Sequence, residues 1–436
     1  MYCPDRRVVI TGIGLVSPLG TNVETMWSNL SQGNSGVGFI DALPEAKTPT
    51  RIGGEAKTFT GSIDDFGELE KTLKRSIKKG LRLMCREISM GVASSQLALQ
   101  DAGITTGTYD PERIGTLFGS DYILTLPQEF NEGIHKCLSA NQDFDFERWG
   151  QDGIPQVNPL WLLKYLPNMP ASHVAIYNDL RGPSNSLTMR EASSNVALAE
   201  AVTTIRRGVA ECMLAGATGT RIHPLRSVHV AMQQPLAQAD QPNQACRPFD
   251  QARSGMVLGE GAGCIVLESL EAAQARSATI HGEIVGYGTS TVANKNGVAN
   301  YETAFENVLK GVLETSGLTT ADIGHIHAHG ISTVDCDKQE AAAINRVFGD
   351  DSPPVMAAKS FMGNLGAGSG LVEAIASLEA VKRNQLFPIL NYDQPDPECP
   401  INAADPNKHE PGSCFINMNV SPQGQASAIL IKAFQG

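Results

Sequence analysis

The amino-acid sequence predicts an α/β protein, on three observations. Short β-branched runs alternate with longer alanine-rich stretches along the whole chain. Hydrophobic residues make up 42 % and charged residues 18 % of the 436 positions, which supplies a large core and excludes wholesale disorder. No short repeat or low-complexity tract interrupts the alternation, and the length suits two or three domain lengths or one duplicated fold.

Taken in order, Val8-Val9-Ile10 opens a strand over 8–13, followed by a turn with Pro18 and Gly20 and a helix around 22–32. An alanine-rich helix over 88–102 ends at Gly103. Apolar runs at 114–118, 212–215, 264–267 and 280–286 read as buried strands. Helices are expected over 303–316, 338–347 and 371–383, with strands at 323–329 and 427–432. Between 120 and 170 the pattern weakens into aromatics, Asn, Asp and Pro, the composition of an elaborated surface or interface segment rather than a separate domain. The polar, alanine-rich stretch 268–278 is the natural divide, giving halves 1–267 and 268–436.

With 34 Lys+Arg against 46 Asp+Glu, the formal charge of −12 argues against a general nucleic-acid binder. No apolar run approaches the ~18 residues that span a bilayer. The start is polar and runs straight into the first strand without the pattern of a signal peptide, so a soluble, cytoplasmic protein is expected. Nine cysteines are scattered at Cys3, Cys85, Cys137, Cys212, Cys246, Cys264, Cys336, Cys399 and Cys414. None forms a Cys-x-x-Cys pair, so neither a zinc ribbon nor a disulfide scaffold is supported, and Cys212 and Cys264, in apolar stretches, read as reduced core thiols.

Gly12-Ile13-Gly14 follows a strand, but the next glycine is Gly20 and no Gly-Lys-Ser/Thr follows, so no nucleotide site is expected. Gly259-Glu260-Gly261-Ala262-Gly263 and Gly363-Asn364-Leu365-Gly366-Ala367-Gly368 read as close backbone approaches at tight turns. His325, His327 and His329 would share one strand face near Asp335 and Asp337. At ~7 Å intervals along one rigid strand they are too far apart to ligate one zinc. No metal and no cofactor is expected.

Longer motifs carry a resemblance. Val8-Val9-Ile10-Thr11-Gly12-Ile13-Gly14-Leu15-Val16-Ser17-Pro18-Leu19-Gly20, Arg247-Pro248-Phe249-Asp250 and Gly255-Met256-Val257-Leu258-Gly259-Glu260-Gly261-Ala262-Gly263 resemble the β-ketoacyl synthases. Ala328-His329-Gly330 with Ser332-Thr333 and Asp337-Lys338, then Lys359-Ser360 with Gly363, continue the likeness in order. It implies a thiolase-like five-layered αβαβα fold of two similar halves, a dimer, and an active site between the halves. The family's chemistry uses a cysteine at a helix start as acyl nucleophile, two histidines that assist malonyl decarboxylation, and a supporting lysine.

In the segment Gly182-Pro183-Ser184-Asn185-Ser186-Leu187-Thr188-Met189-Arg190-Glu191-Ala192-Ser193-Ser194, the resemblance puts Glu191 where the cysteine belongs. A carboxylate cannot serve as the thioester-forming nucleophile that condensation requires. The first histidine is His329, and the lysine is Lys359. The second histidine is replaced, since the text after Lys359 runs Ser360-Phe361-Met362-Gly363-Asn364, and Asn364 cannot shuttle a proton. Ile331 stands where threonine is usual, and the loop Val420-Ser421-Pro422-Gln423-Gly424-Gln425-Ala426 departs from the family's glycine-rich form. At a helix N-terminus the Glu191 carboxylate is favoured by the dipole, and His329 or Lys359 is expected to pair with it.

These departures imply a degenerate ketosynthase similar to chain-length factors, pairing with an active ketosynthase. The alternative is a malonyl- or acyl-carrier-protein decarboxylase or acyltransferase using Glu191, His329 and Lys359; a third is an acyl-binding homodimer without turnover. Lys71, Lys74, Arg75, Lys78 and Arg82, with Lys79 beside them, form a basic stripe at helical spacing in an acidic protein. A solvated face is its plain reading; docking of an acidic acyl carrier protein is the reading the resemblance adds. No aromatic interleaving points to nucleic acid.

Overall fold

The computed structural model describes residues 6–43 and 48–434. Ten strands form the main path of its sheet framework, with two short strands, Gly38–Phe39 and Ile52–Gly54, attached off it. The first half contributes β1 (Val8–Val16), β2 (Ile114–Ser120), β3 (Ser184–Thr188), β4 (Cys212–Thr220) and β5 (Leu258–Ser269). The second contributes β6 (Gly282–Thr291), β7 (His325–His327), β8 (Val355–Met356), β9 (Cys414–Val420) and β10 (Gln425–Lys432).

The strand order is β3-β2-β4-β5-β1 in the first half and β8-β7-β9-β10-β6 in the second, the same permutation twice. The directions repeat as well. β2 runs parallel to β3 and β4, and β5 is antiparallel to β4 and β1. Likewise β7 runs parallel to β8 and β9, and β10 is antiparallel to β9 and β6. Val9 opposite Glu283 and Ile10 opposite Gly282 stitch the two sheets together.

Three helices in each half repeat too: α1 (Arg86–Asp101), α2 (Met169–Asn178) and α3 (Ser193–Arg206), then α4 (Tyr301–Ser316), α5 (Val334–Phe348) and α6 (Ser369–Arg383). α1 and α2 cover the outer face of the first sheet, and α4, backed by α5, covers that of the second. α3 packs on β2 and β4 of its own half and on β6 and β10 of the other; α6 packs on β7 and β9 and reaches across to β4 and β5. The layers are therefore helix, sheet, helix, sheet, helix, the thiolase-like α/β architecture. The central helices have little solvent face: every residue from Ser369 to Ala380 of α6 is buried. Their small residues, rather than an amphipathic stripe, let them sit between two sheets.

Glycine marks where backbones meet. A Cβ on Gly14 would stand 2.2 Å from the Ser94 carbonyl oxygen, so the Gly12–Gly14 pair lets α1 lie directly on β1. The 259–263 run lies inside β5 and not at a turn, correcting the expectation. A Cβ on Gly368 would be 2.3 Å from the Gly261 carbonyl oxygen, where the α6 entrance presses on that strand.

Several boundaries move. β1 continues to Val16 and β6 to Thr291. The strand expected over 323–329 is ordered as strand only from His325 to His327. Beyond it, Glu340 accepts from the backbone N–H groups of His329 and Gly330 and Asp337 from those of Ile331 and Ser332, so these donors leave the ladder. The 120–170 segment folds into short helical turns that leave Phe144, Phe146, Ile154, Leu160 and Leu162 exposed. The eight cysteines among the described residues are free, and Cys212 and Cys264 are fully buried; Cys3 lies outside the described residues. Among the described residues no helix is long and apolar enough to cross a membrane.

Candidate functional site

In open α/β sheets, functional groups gather at the carboxyl ends of parallel strands. Here each half brings such ends inward. Asp121 follows β2, Glu191 follows β3 by a short turn, and Arg221 follows β4. From the other half, His329 follows β7, Lys359 follows β8, and Asn419 sits near the end of β9.

Glu191 lies in a 3₁₀ turn, Arg190–Ala192, that leads into α3. The turn requires Arg190 at φ 58°, a left-handed conformation that costs a non-glycine residue about 1–3 kcal/mol. Glu191 is inaccessible to solvent. Its Oε1 accepts from Arg221 Nη2 at 2.5 Å and from Asn364 Nδ2 at 2.9 Å, and Arg190 Nε stands 3.7 Å from Oε2. Burial alone would raise this carboxyl, but the guanidinium of Arg221, then that of Arg190, then the bond from Asn364 hold it well below the usual carboxylate range.

The network extends away from Glu191. Arg221 also pairs with Asp121; Arg226 Nη1 is 3.0 Å from the other Asp121 oxygen, and its Nη2 is 4.0 Å from Glu87. The Arg226 guanidinium lies 4.0 Å from the centroid of Tyr122, whose hydroxyl pairs with His229 Nδ1 at 2.6 Å. Three carboxyl groups thus face three guanidiniums in the interior around Glu191. Burial pushes the Glu87 carboxyl up to about 7.

Lys359 and His329 form a second group. Lys359 Nζ donates to Glu373 at 2.5 Å and to Asn419 Oδ1 at 3.1 Å, while Asn419 Nδ2 donates to the other Glu373 oxygen at 2.9 Å. His329 Nδ1 pairs with Asn419 Oδ1 at 3.2 Å. Burial, aided by the Lys359 charge, lowers the imidazole to about 3, although Glu191 pulls the other way. His329 is therefore neutral at physiological pH.

Glu191 and Asn364 are brought into direct contact, and His329 and Lys359 share Asn419. The expected pairing of Glu191 with His329 or Lys359 is not formed. Glu373 takes the lysine, and the guanidinium of Arg221, offering a planar fork, takes the glutamate. Sequence reasoning missed Arg190, Arg221, Asp121, Arg226, Glu87, Glu373 and Asn419. A legible signal existed for two of them, since Asp121 and Arg221 are charged residues set immediately after apolar strands.

The other histidines have separate partners. His325 Nδ1 pairs with the Pro411 carbonyl at 2.7 Å, and the ring stacks on Phe415. His327 Nδ1 pairs with Ser377 Oγ at 2.8 Å, and its Nε2 accepts from the Ala358 N–H at 3.1 Å. Among the described residues no group of three or more His, Cys, Asp or Glu is placed to hold a metal ion.

The basic stripe lies on the helix Lys71–Gly80, whose single buried residue is Ile77. Lys71, Arg75, Lys78 and Lys79 are exposed, and Lys74 is engaged with Asp64 at 2.7 Å. The α-helix stops at Gly80, so Arg82, exposed, is presented from a 3₁₀ turn and not from the same helical face.

Comparison with known proteins matches residues 5–273 to the N-terminal domain of β-ketoacyl synthases and residues 281–393 to their C-terminal domain. A 3-oxoacyl-[acyl-carrier-protein] synthase 2 of Staphylococcus aureus (strain COL) is 30 % identical over 430 residues, covering 98 % of each chain. One from Synechocystis sp. (strain ATCC 27184 / PCC 6803 / Kazusa) is 31 % identical over 407 residues, covering 91 % of this chain and 90 % of the relative. Among solved structures, a β-ketoacyl synthase from Burkholderia phymatum STM815 superposes with a TM-score of 0.82 at 27 % identity, covering 99 % of this chain and 100 % of that one. The ishigamide ketosynthase/chain length factor shares the fold, with a TM-score of 0.83 at 24 % identity over 99 % of this chain and all of that one. Two domain matches in tandem and full-length relatives, on a fold with duplicated halves, make this chain a member of the β-ketoacyl synthase family.

Proposed function

We propose that this chain is a non-condensing, chain-length-factor-like subunit that pairs with an active ketosynthase in fatty-acid or polyketide synthesis. Glu191 carries the reading. The position that the resemblance gives to the nucleophile holds a buried carboxylate whose strong partners are already supplied from within the chain. It has no thiol chemistry to offer. An acyl chain entering beside it would displace Arg221, Asp121 and Arg226 from one another, and separating a desolvated pair costs about 3–5 kcal/mol.

Pairing with a second chain is supported by an open sheet edge. β3 bonds to β2 on one side only, and Ser184, Asn185 and Thr188 are exposed along it. An unpaired edge of this kind is a template for a strand from another chain. The helix Pro224–Ala231 leaves Leu225, Val228 and the following Met232 exposed, and the 120–170 segment adds further apolar side chains. A chain of a ketosynthase/chain length factor, and one from a complex of a type II polyketide acyl-carrier protein with its ketosynthase, have this fold. The reading brings such partners to this chain: a ketosynthase on the β3 edge, and an acidic carrier protein on the basic helix and the turn after it, with Lys71, Arg75, Lys78 and Arg82 supplying the charge and Lys74 shared with Asp64. Unpaired cysteines accord with a cytoplasmic setting. We divide the chain just after β5, whose last two residues, Glu268 and Ser269, still pair with the first half, so the divide lies a little beyond 267/268, with the repeated strand order on either side of it.

Mass spectrometry of malonyl- and acyl-loaded carrier protein, incubated with the purified chain alone and with a candidate active ketosynthase, tests the reading. The expected result is no change with the chain alone and altered product length with the partner. Loss of CO2 or acyl transfer by the chain alone, abolished by Glu191→Gln, would overturn it in favour of a decarboxylase or acyltransferase.

A further inference from the structure

A groove of about 720 Å³ opens on the outer face of the first half, lined by none of Glu191, His329, Lys359 and Asn364. The inner face of the helix Lys71–Gly80 forms one wall and the last turns of α1 the floor; the 104–111 loop and the end of α2 close the other sides. Leu73, Leu99, Ile104, Tyr109 and Ile176 give it an apolar lining. Its volume falls in the range of about 300–1,000 Å³ that suits small-molecule sites.

Two features say what would fill it. The first is Gln96, on the groove lining and only 2 % exposed, whose Nε2 has no hydrogen-bond partner. Its neighbour Gln100 shows the contrast, with Oε1 accepting from Glu68 N and Nε2 donating to Phe66 O. A buried amide donor without a partner is an unfavourable arrangement that a ligand oxygen would correct. The second is charge. Glu68, Glu70 and Asp179 line the groove, and no Lys, Arg or His does. Glu70 also caps its helix, and Asp179 is paired with Arg181, so neither carboxylate calls for a cationic ligand. An anion meets only like charge. The helix wall packs inward through the buried side chain of Ile77 and the half-buried Leu73.

We infer that this groove is a binding site for an uncharged small molecule with an apolar body and an oxygen acceptor that takes the Gln96 amide hydrogen. Carboxylate, phosphate and thioester-carrier anions are excluded from it, which separates the site from the acyl chemistry of the family and from the basic outer face of the same helix.

Nile red, an uncharged fused-ring dye bearing a carbonyl, is the probe, and a dansylated fatty acid is its anionic counterpart. Titrating the full chain is expected to give one saturable, blue-shifted emission for Nile red and binding at least tenfold weaker for the fatty acid. Gln96→Leu is expected to weaken Nile red by about five- to tenfold, one hydrogen bond's worth. Ile104→Trp, which narrows the groove, is expected to abolish the signal. Ile176→Arg, at a rim position 72 % exposed, gives a second block with little risk to folding, checked by an unchanged melting temperature. Absence of saturable binding overturns the inference. So does Nile red affinity indifferent to Gln96→Leu or to both blocking variants, or equal affinity for the anionic probe.

Discussion

Asn364 donates to Glu191 across 2.9 Å, and this one bond ties the entrance of α6 to the entrance of α3. One residue comes from each half of the chain, and each stands where a strand end feeds a central helix. The contact is anchored on both sides: Asn364 Oδ1 accepts from Gly366 N, and Arg221 holds the Glu191 oxygen.

Removing charge from this contact is expected to cost stability. Glu191→Gln leaves Arg221 with one fewer counter-ion in a dry interior, and a loss of about 3–5 kcal/mol is expected. Asn364→Ala removes a hydrogen bond to a charged group, about 1.5–3 kcal/mol. Denaturant unfolding of the two single variants and the double should show non-additivity of about 0.5–3 kcal/mol, because the residues touch.

Restoring residue types is not expected to restore chemistry. In Glu191→Cys with Asn364→His, Arg221, Asp121 and Arg226 still fill the space beside residue 191. Intact-protein mass spectrometry after exposure to acyl-carrier protein should show no acyl adduct. An adduct of the acyl mass would mean that the charged cluster opens readily to admit a chain.

Stability should fall on both sides of a mildly acidic optimum. Burial raises Glu340 to about 8 from 4.5, so its contribution is full below about pH 4.5 and is lost as pH rises through 8. Glu191 is lowered, so its contribution is present above 4.5 and is lost as pH falls. Glu340→Gln, a permanently neutral side chain of similar shape, should flatten the alkaline limb by up to ~1.4 kcal/mol per pH unit. Thermal unfolding between pH 4 and 9 reads this directly.

Charge reversal on the basic helix should weaken carrier-protein binding. Arg75→Glu with Lys78→Glu is expected to raise Kd at least about tenfold at low salt, with the difference shrinking as ionic strength screens exposed charges. Lys74→Ala should matter less, because Lys74 is shared with Asp64. Titration calorimetry at two salt concentrations checks both.

Much of the architecture was legible because its elements have clean periodicity or composition: β1, α1, β4, α4 and α6 lie close to where the alternation puts them. What escaped has physical reasons. β9 carries Asn417 and Asn419 inside an apolar strand, and both bond internally: Asn417 Nδ2 donates to Asn195 and Gly370, and Asn419 pairs with Glu373 and Lys359. α3 opens on Ala192-Ser193-Ser194-Asn195, polar by composition yet buried between two sheets. Glu191, Asn364, His329 and Lys359 were found by motif, but their partners were not. Arg221 and Glu373 meet them through tertiary contacts that no local spacing encodes.

The sharing of α3 and α6 between both sheets has a consequence for how the chain reaches its native state. Neither half can complete a core while its central helix lacks the opposing sheet, so α3 must wait for β6 and β10, more than 75 residues further along the chain. Such contacts bring a high contact order and slow folding. During synthesis the first half would emerge with the faces of α3 and its sheet uncovered, a species suited to capture by a chaperone. Cutting the chain between β5 and β6, after Ser269, should yield fragments that fold only when mixed.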